Sequence, residues 1–507
     1  MLFSGNKELL MKKSSLSLLI CCLCAAVNAQ IAMFPKNMAK NVCVDTHLVL
    51  KFKGAVAAGT SGKVRIYDVT AGEMVDSLDL SIPAGPTESR TYPADCDYTK
   101  VPYDYTRSFM ATNRNTIPGT PSGTAELNPP CYQLNIIGGF TDAFHFRPVI
   151  AKGNTATIYP HNNMLEYGHT YRVSIDKEVI KAEGFAGISD WTFTVKAKAP
   201  VGSKVRVDAS GKGDFCTVQG ALDYVPDFSP THYYIYIGKG DYEEIVYARN
   251  KTNVTIQGKG MNATRVHYAN NEVFNPHPMT VKTNEWPGTF PYRRAAFALD
   301  NCKDITLRDM TVATDCKGQA EGLFLMGERY ALQRVYVIGD GDAIQANGTI
   351  YMQDCKMDGG TDAFLSRGSI YAYHCQFRND GGAFTWSRST EGVRGLVFVE
   401  CDFTTRNGKP VDFGRCPNNH GKSYPHAEMV LINCKAPSVI PQGWSAIGEK
   451  SASYLEYNTR DMKGNLLPTN QRHPFSKMLD GVKDAETIKS YSTPEFVLGG
   501  WKPDFAK

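Results

Sequence analysis

The chain has 507 residues, of which 42% are apolar and 21% charged, and a formal net charge of +4. This length and apolar content suit two or more packed domains and exclude a disordered or low-complexity chain. The charge balance offers no basic surface for nucleic acid, and after residue 30 no segment approaches the run of about 20 apolar residues that spans a bilayer.

At the N-terminus, "MKKSSLSLLICCLCAAVNA" joins Lys12 and Lys13 to a short apolar core, with Val27 and Ala29 before Gln30. It reads as a secretory signal over residues 1–29, with Met11 as a candidate start, and predicts a secreted or periplasmic protein, or one held at the cell surface. Cys21, Cys22 and Cys24 raise the alternative of a lipid anchor, but Ile20 and Leu23 stand where a small residue usually precedes a modified cysteine. Removing the signal takes away three positive charges and one negative, leaving +2, and leaves eleven of fourteen cysteines. An odd number spread over so long a chain is not a disulfide scaffold. Cys96 and Cys131, which bracket a Pro-rich insertion, are the best candidates for a bonded pair.

Residues 30–197 alternate apolar and polar positions in short runs such as "THLVLKFKG", "GKVRIYDV", "TYRVSID" and "WTFTVKA", punctuated by turn residues. This predicts an antiparallel β-sandwich. The layout "NMLEYGHTYRVSID" followed by "GFAGISDWTFTV" resembles the immunoglobulin-like modules appended to bacterial exported enzymes. No chemical constellation occurs there, so an accessory or spacer role is expected. Residues 198–204, "KAPVGSK", read as a linker.

From residue 205 to 507 short β-rich runs recur, mostly at spacings of about 20 to 30 residues: "NVTIQG", "DITLRDM", "ALQRVYV", "TIYMQDCKM", "SIYAYHCQF", "GLVFVECDF", "MVLINCK". Four place a cysteine at the same point, Cys355, Cys375, Cys401 and Cys434, with Cys302 as an expected fifth. Such repetition predicts a right-handed parallel β-helix whose equivalent side chains stack coil on coil, the thiols forming a buried packing column. "DFCTVQGALDYVP" has helical apolar spacing and suits a cap on the first coil. The cysteines lack CxxC pairs and the histidines lack HExxH spacing, so no metal and no cofactor is expected.

Asp342 and Asp362 each lie thirteen residues before a cysteine of the column, Cys355 and Cys375. If the thiols stack, the acids stack too, roughly 5 Å apart on successive rungs. Two carboxylates that close titrate as a unit with one pKa raised, which suits a proton donor beside an anionic nucleophile or base. Taken as residues alone, the pair also fits two solvated turns.

The region from about Lys204 onward resembles the pectin methylesterases, a carbohydrate esterase family built on this β-helix. The likeness runs through "DASGKGDFCTVQGALDYVP", "YYIYIGKGDYEEIV", "NVTIQGKGMNATRV", "QAEGLFLMGERYALQRVYVIGDGDA", "KMDGGTDAFLSRG", "VDFGRCPN", "IPQGWSAIGEKSASYLEYNTRDMKG" and "LDGVKDAETIKSYSTPEFVLGGW". It implies an aspartyl esterase that hydrolyses galacturonate methyl esters of pectin. In it Asp362 is the nucleophile, Asp342 the general acid and base, Arg415 the group that orients Asp362, and Gln319 an oxyanion donor.

Two positions depart from the family pattern. Gly341 stands where a second glutamine usually precedes the acid, and Cys416 and Asn418 flank Pro417 where a tryptophan is expected. Trp386 and Arg388 in "FTWSRS" are candidates to compensate by binding substrate, and Gly341 joins them as a candidate substrate-binding position. Arg388, thirteen residues before Cys401, fits either the rung beside the acid column, facing a uronate carboxylate, or a plain surface position.

The alternatives are an inverting β-helix hydrolase of polygalacturonase type and an inactive carbohydrate-binding homologue. Inversion needs carboxylates about 6.5 to 9.5 Å apart, more than one rung provides. An α/β-hydrolase is excluded because "GWSAIG" has Ile447 where a GxSxG glycine belongs. The expected partner is pectin, with no nucleic acid, no membrane span and a monomeric state.

Overall fold

The protein is described by a computed structural model covering residues 31–88, 132–138, 143–275, 293–418 and 422–505. The secretory signal and the Cys96 and Cys131 pair lie outside the described residues. Among the described residues no helix is long and apolar enough to cross a membrane.

The N-terminal module is a two-sheet sandwich. One sheet joins Ala32–Phe34, Leu48–Lys51, Thr155–Ile158 and Val149–Lys152; the other joins Ala39–Val42, Ile188–Val195, Thr170–Ile175, Lys63–Asp68 and Glu73–Asp79. Strict alternation of buried and open positions in Lys63–Asp68 and Thr170–Ile175 turns one face inward. Trp191, Tyr171 and Phe193 fill the space between the sheets. The sheets are not wholly antiparallel as expected, because Ala39–Val42 runs parallel to Ile188–Val195.

Among the described residues from Lys204 on, 21 strands form an all-parallel right-handed β-helix, beginning at Lys204–Val207, one residue before the expected boundary. Its rungs form three ladders. The first runs from Lys204–Val207 through Tyr233–Ile237, Thr252–Gln257 and later coils to Ser476–Met478. The second includes Gly240–Glu243, Thr264–Tyr268, Lys356–Asp358, Gln376–Asn379 and Asp402–Thr405. The third includes Val246–Arg249, the first residues of Ile344–Gln353, Phe364–Ser366, Thr385–Ser387, Arg415–Cys416 and Ala446–Ile447.

Lys356, Gln376 and Asp402 stand opposite one another, and Asp402 bridges to Lys435, so Cys355, Cys375, Cys401 and Cys434 fall at one corner, all buried. The residue before each, Asp354, His374, Glu400 and Asn433, adopts positive φ and turns the chain. Cys302 does not extend this column: it pairs with Gly327 at another corner, and the cysteine position is occupied by Val335 and Met310 in earlier coils. Beneath the third ladder a run of edge-packed rings, Phe364, Phe377, Phe398, Phe403 and Phe413, leads to Trp444.

Helix Val218–Tyr224, capped by Thr217, which accepts from Gly220 N at 2.9 Å, closes the first coil with Val218, Ala221 and Leu222. Asp45 of the sandwich accepts from Cys216 N, Thr217 N and Thr217 Oγ1, tying the two modules at this cap. A hairpin of Leu134–Ile136 and Ala143–His145 leaves the sandwich to lie on the β-helix. There Phe144 packs with Tyr247, Phe324, Ala298 and Met326, and the Asn275 side-chain amide accepts from His145 N and donates to His145 O. The hairpin therefore covers apolar surface of the third ladder.

Phe144 is fully buried, its ring 5.3 Å from Tyr247. Phe144→Ala is expected to cost about 3–5 kcal/mol in denaturant unfolding, and a loss below about 1 kcal/mol would show that the hairpin does not support the β-helix.

Candidate functional site

The turns entering the third ladder carry the acids. Ile344 stands opposite Phe364 and Phe364 opposite Thr385, so Asp342 and Asp362 hold equivalent places on adjoining coils, roughly 4.8 Å apart along the ladder. The next equivalent place is Ala383, from which Asp362 N reaches the carbonyl at 2.7 Å, and the one after is Asp412. Asp412 is occupied structurally, accepting from Gly414 N and Ser445 N. Asp342 and Asp362 are both buried.

Arg415 begins two coils beyond Asp362, and its side chain runs back over the Trp386 ring, 4.8 Å from the centroid. It grips Asp362 through Nε at 2.9 Å and Nη2 at 2.5 Å, a paired charge-assisted contact. Asp362 itself sits at φ +53, a conformation that aspartate tolerates better than most residues and that cluster at functional sites. Trp386 also carries the Arg388 guanidinium at 3.6 Å, so one indole supports two arginines.

Arg388 is not on the acid column. It follows Ser387, which stands opposite Ser366, and so lies on the strand beyond Trp386, with Tyr424 beneath it. The count back from Cys401 crosses extra residues. Phe364 to Thr385 is a 21-residue step, whereas Ile370 to Leu396 is 26, and the five additional residues fall after Arg388.

Gln319 is exposed on a loop held from both sides: Gly318 N donates to Asp340 Oδ2 at 2.7 Å, Ala320 and Asp340 exchange backbone bonds, and Glu272 N donates to Gln319 O. Its side-chain oxygen accepts from Arg294 Nη1 at 3.0 Å, which leaves the amide NH2 for a ligand.

Arg294 and Glu321 are absent from the sequence reading. Arg294 is buried and forks onto fully buried Glu321, with Nε 2.7 Å from one carboxylate oxygen. The same guanidinium reaches Asp342 Oδ2 at 3.0 Å through Nη2 and Glu272 Oε2 at 3.3 Å through Nη1. The available signal was Glu321 itself, a charge inside the apolar run "QAEGLFLM", which a buried strand tolerates only with a cation beside it. Burial pushes the Asp342 carboxyl up to about 7; Arg294 and Arg388 oppose this, and the charges of Glu321 and Asp362 add to it.

Gly341 explains its own departure. Its φ is +61, and a Cβ there would lie 2.7 Å from the Gly318 carbonyl oxygen. A glutamine at this place would be strained and would push on the loop that carries Gln319. Gly341→Gln is expected to lose about 1–3 kcal/mol of stability in a thermal melt read together with activity; a variant as stable as the parent would contradict this reading of the turn.

The Pectinesterase family profile matches residues 204–500. Pectinesterase QRT1 of Arabidopsis thaliana is 26% identical over 351 residues, covering 65% of this chain and 87% of the relative. Probable pectinesterase 8 of the same plant is 23% identical over 298 residues, covering 56% and 73%. Pectin methylesterase from carrot aligns in structure with a TM-score of 0.48 at 19% identity, over 60% of this chain and 95% of the other. With the family profile spanning more than half of its length, this chain belongs to the pectinesterase family.

Proposed function

We propose that the protein is an exported pectin methylesterase that removes the methyl groups of galacturonate esters through an acyl-enzyme on Asp362. The observation that carries the reading is the pair of unlike carboxyls on adjoining coils. One is gripped by Arg415 and the other is buried beside Arg294 with its carboxyl pushed up to about 7. Environments that separate two acids in this way favour one as nucleophile and the other as proton donor.

In this mechanism an Asp362 oxygen attacks the ester carbonyl carbon, and the Gln319 NH2 donates to the oxygen as it becomes negative. The intermediate collapses to an anhydride between Asp362 and the galacturonyl group, expelling methoxide, which takes the Asp342 proton and leaves as methanol. The Asp342 carboxylate then removes a proton from water. That water attacks the galacturonyl carbon, regenerating the Asp362 carboxylate and releasing the free uronic acid, which loses its proton to solvent. Trp386 and Arg388 form the adjoining wall, where the indole supports a guanidinium suited to a uronate carboxylate. Export through the N-terminal segment would bring the enzyme to a polymeric substrate outside the cell, where it acts without a cofactor and as a monomer.

Asp362→Asn is expected to abolish methanol release from methyl-esterified homogalacturonan while keeping the circular dichroism of the β-helix. Production of new reducing ends by the parent would instead favour a glycosidic hydrolase. Because Asp342 must hold its proton when methoxide leaves, kcat/KM is expected to fall as pH rises through about 7. A rate that stays level from pH 6 to 9 would remove Asp342 from the acid role.

A further inference from the structure

We infer that Arg294 and Glu321 together are a positioning device for Asp342 and Gln319. The inference rests on the proposed roles of Asp342 and Gln319 and specifies what holds them.

Arg294 directs its donors onto four partners. Glu321 takes the fork, Asp342 receives Nη2 at 3.0 Å, and Gln319 and Glu272 receive Nη1 at 3.0 and 3.3 Å. Such a planar fork fixes direction as well as charge, which a lysine cannot do. Two consequences follow from the same contacts. The bond to Gln319 Oε1 fixes the amide so that its NH2 end faces away from Arg294, toward the place where an oxyanion would form. The bond to Asp342 sets a cation against a buried carboxyl, while Glu321, buried behind the guanidinium, offsets much of that charge.

Arg294 is thus not itself an oxyanion donor, since its N–H groups are already engaged, and it acts through Gln319 and Asp342. The charged groups facing Asp342 are Arg294, Glu321 and Asp362, with Arg388 and Arg415 from the far wall and Glu272 behind Arg294. Removing either member of the Arg294 and Glu321 pair should therefore move the titration of Asp342 in opposite senses. Loss of Glu321 leaves the cation unopposed and favours the carboxylate; loss of Arg294 leaves Asp342 among anions and favours the acid.

The test uses the full chain and two readouts. One is the pH profile of kcat/KM on methyl-esterified homogalacturonan. The other is the infrared carboxyl band of Asp342, identified by difference against Asp342→Asn. Glu321→Gln is expected to shift both titrations to lower pH, and Arg294→Met to higher pH, each by about half a unit or more. Arg294→Lys, which keeps the charge and loses the fork, should leave the titration nearly in place while lowering kcat about tenfold at unchanged KM. Unmoved titrations in folded variants, or shifts in the same direction, would overturn the inference. Should Arg294→Met fail to fold, Glu321→Gln decides alone, and an unchanged band would overturn it. The infrared readout separates this inference from the functional reading, because it reports on Asp342 even if the parent enzyme releases no methanol.

Discussion

Everything at the site depends on the rung-to-rung register of the third ladder. Parallel strands repeat at a fixed spacing, so a 20-residue coil between Ile344 and Phe364 is what sets Asp342 against Asp362. The phenylalanine run beneath, from Phe364 through Phe403 to Phe413, leaves little freedom for those coils to slide. The intervening Ala383 keeps the acid column to two members at this point, and Arg415 reaches back across Trp386 to hold the second. One residue added to or lost from either turn would turn its carboxylate to the opposite face of the ladder rather than move it by a fraction of an ångström.

The electrostatics of the site depend on burial combined with partial compensation. Arg294 sits among Glu321, Asp342 and Glu272, and its buried carboxylate partner Glu321 is itself pushed up by burial and held back chiefly by Arg294. A buried cluster of this kind contributes little net stability, since desolvation offsets much of the Coulomb attraction. What it provides is a fixed field at Asp342 and a fixed direction for Gln319. The Asp362 and Arg415 pair is less enclosed on the arginine side, where the side chain is 40% exposed against 9% for Asp362.

Much of this was legible in the sequence because repetition exposes register. Equal thirteen-residue offsets from Cys355 and Cys375 placed the two acids on adjoining rungs, and motif likeness brought Arg415 and Gln319 to them from 53 and 23 residues away. Counting failed where coils differ in length. Arg388 was misplaced by five residues that belong after it, and Cys302 was added to a column whose earlier positions are Met310 and Val335. Arg294 escaped notice because its partners are 22 to 48 residues distant and no periodicity links them. The docked hairpin at Phe144 escaped for a similar reason: a short apolar segment declares no partner until the fold supplies one.

The most direct test of the account is a crystal structure of the Asp362→Asn variant with a methyl-esterified oligogalacturonide bound. The account predicts the ester carbonyl carbon against residue 362, its oxygen toward the Gln319 amide NH2, and the methoxy oxygen toward Asp342. An ester lying with its carbonyl away from residue 362, or a glycosidic oxygen between the two acids, would contradict it.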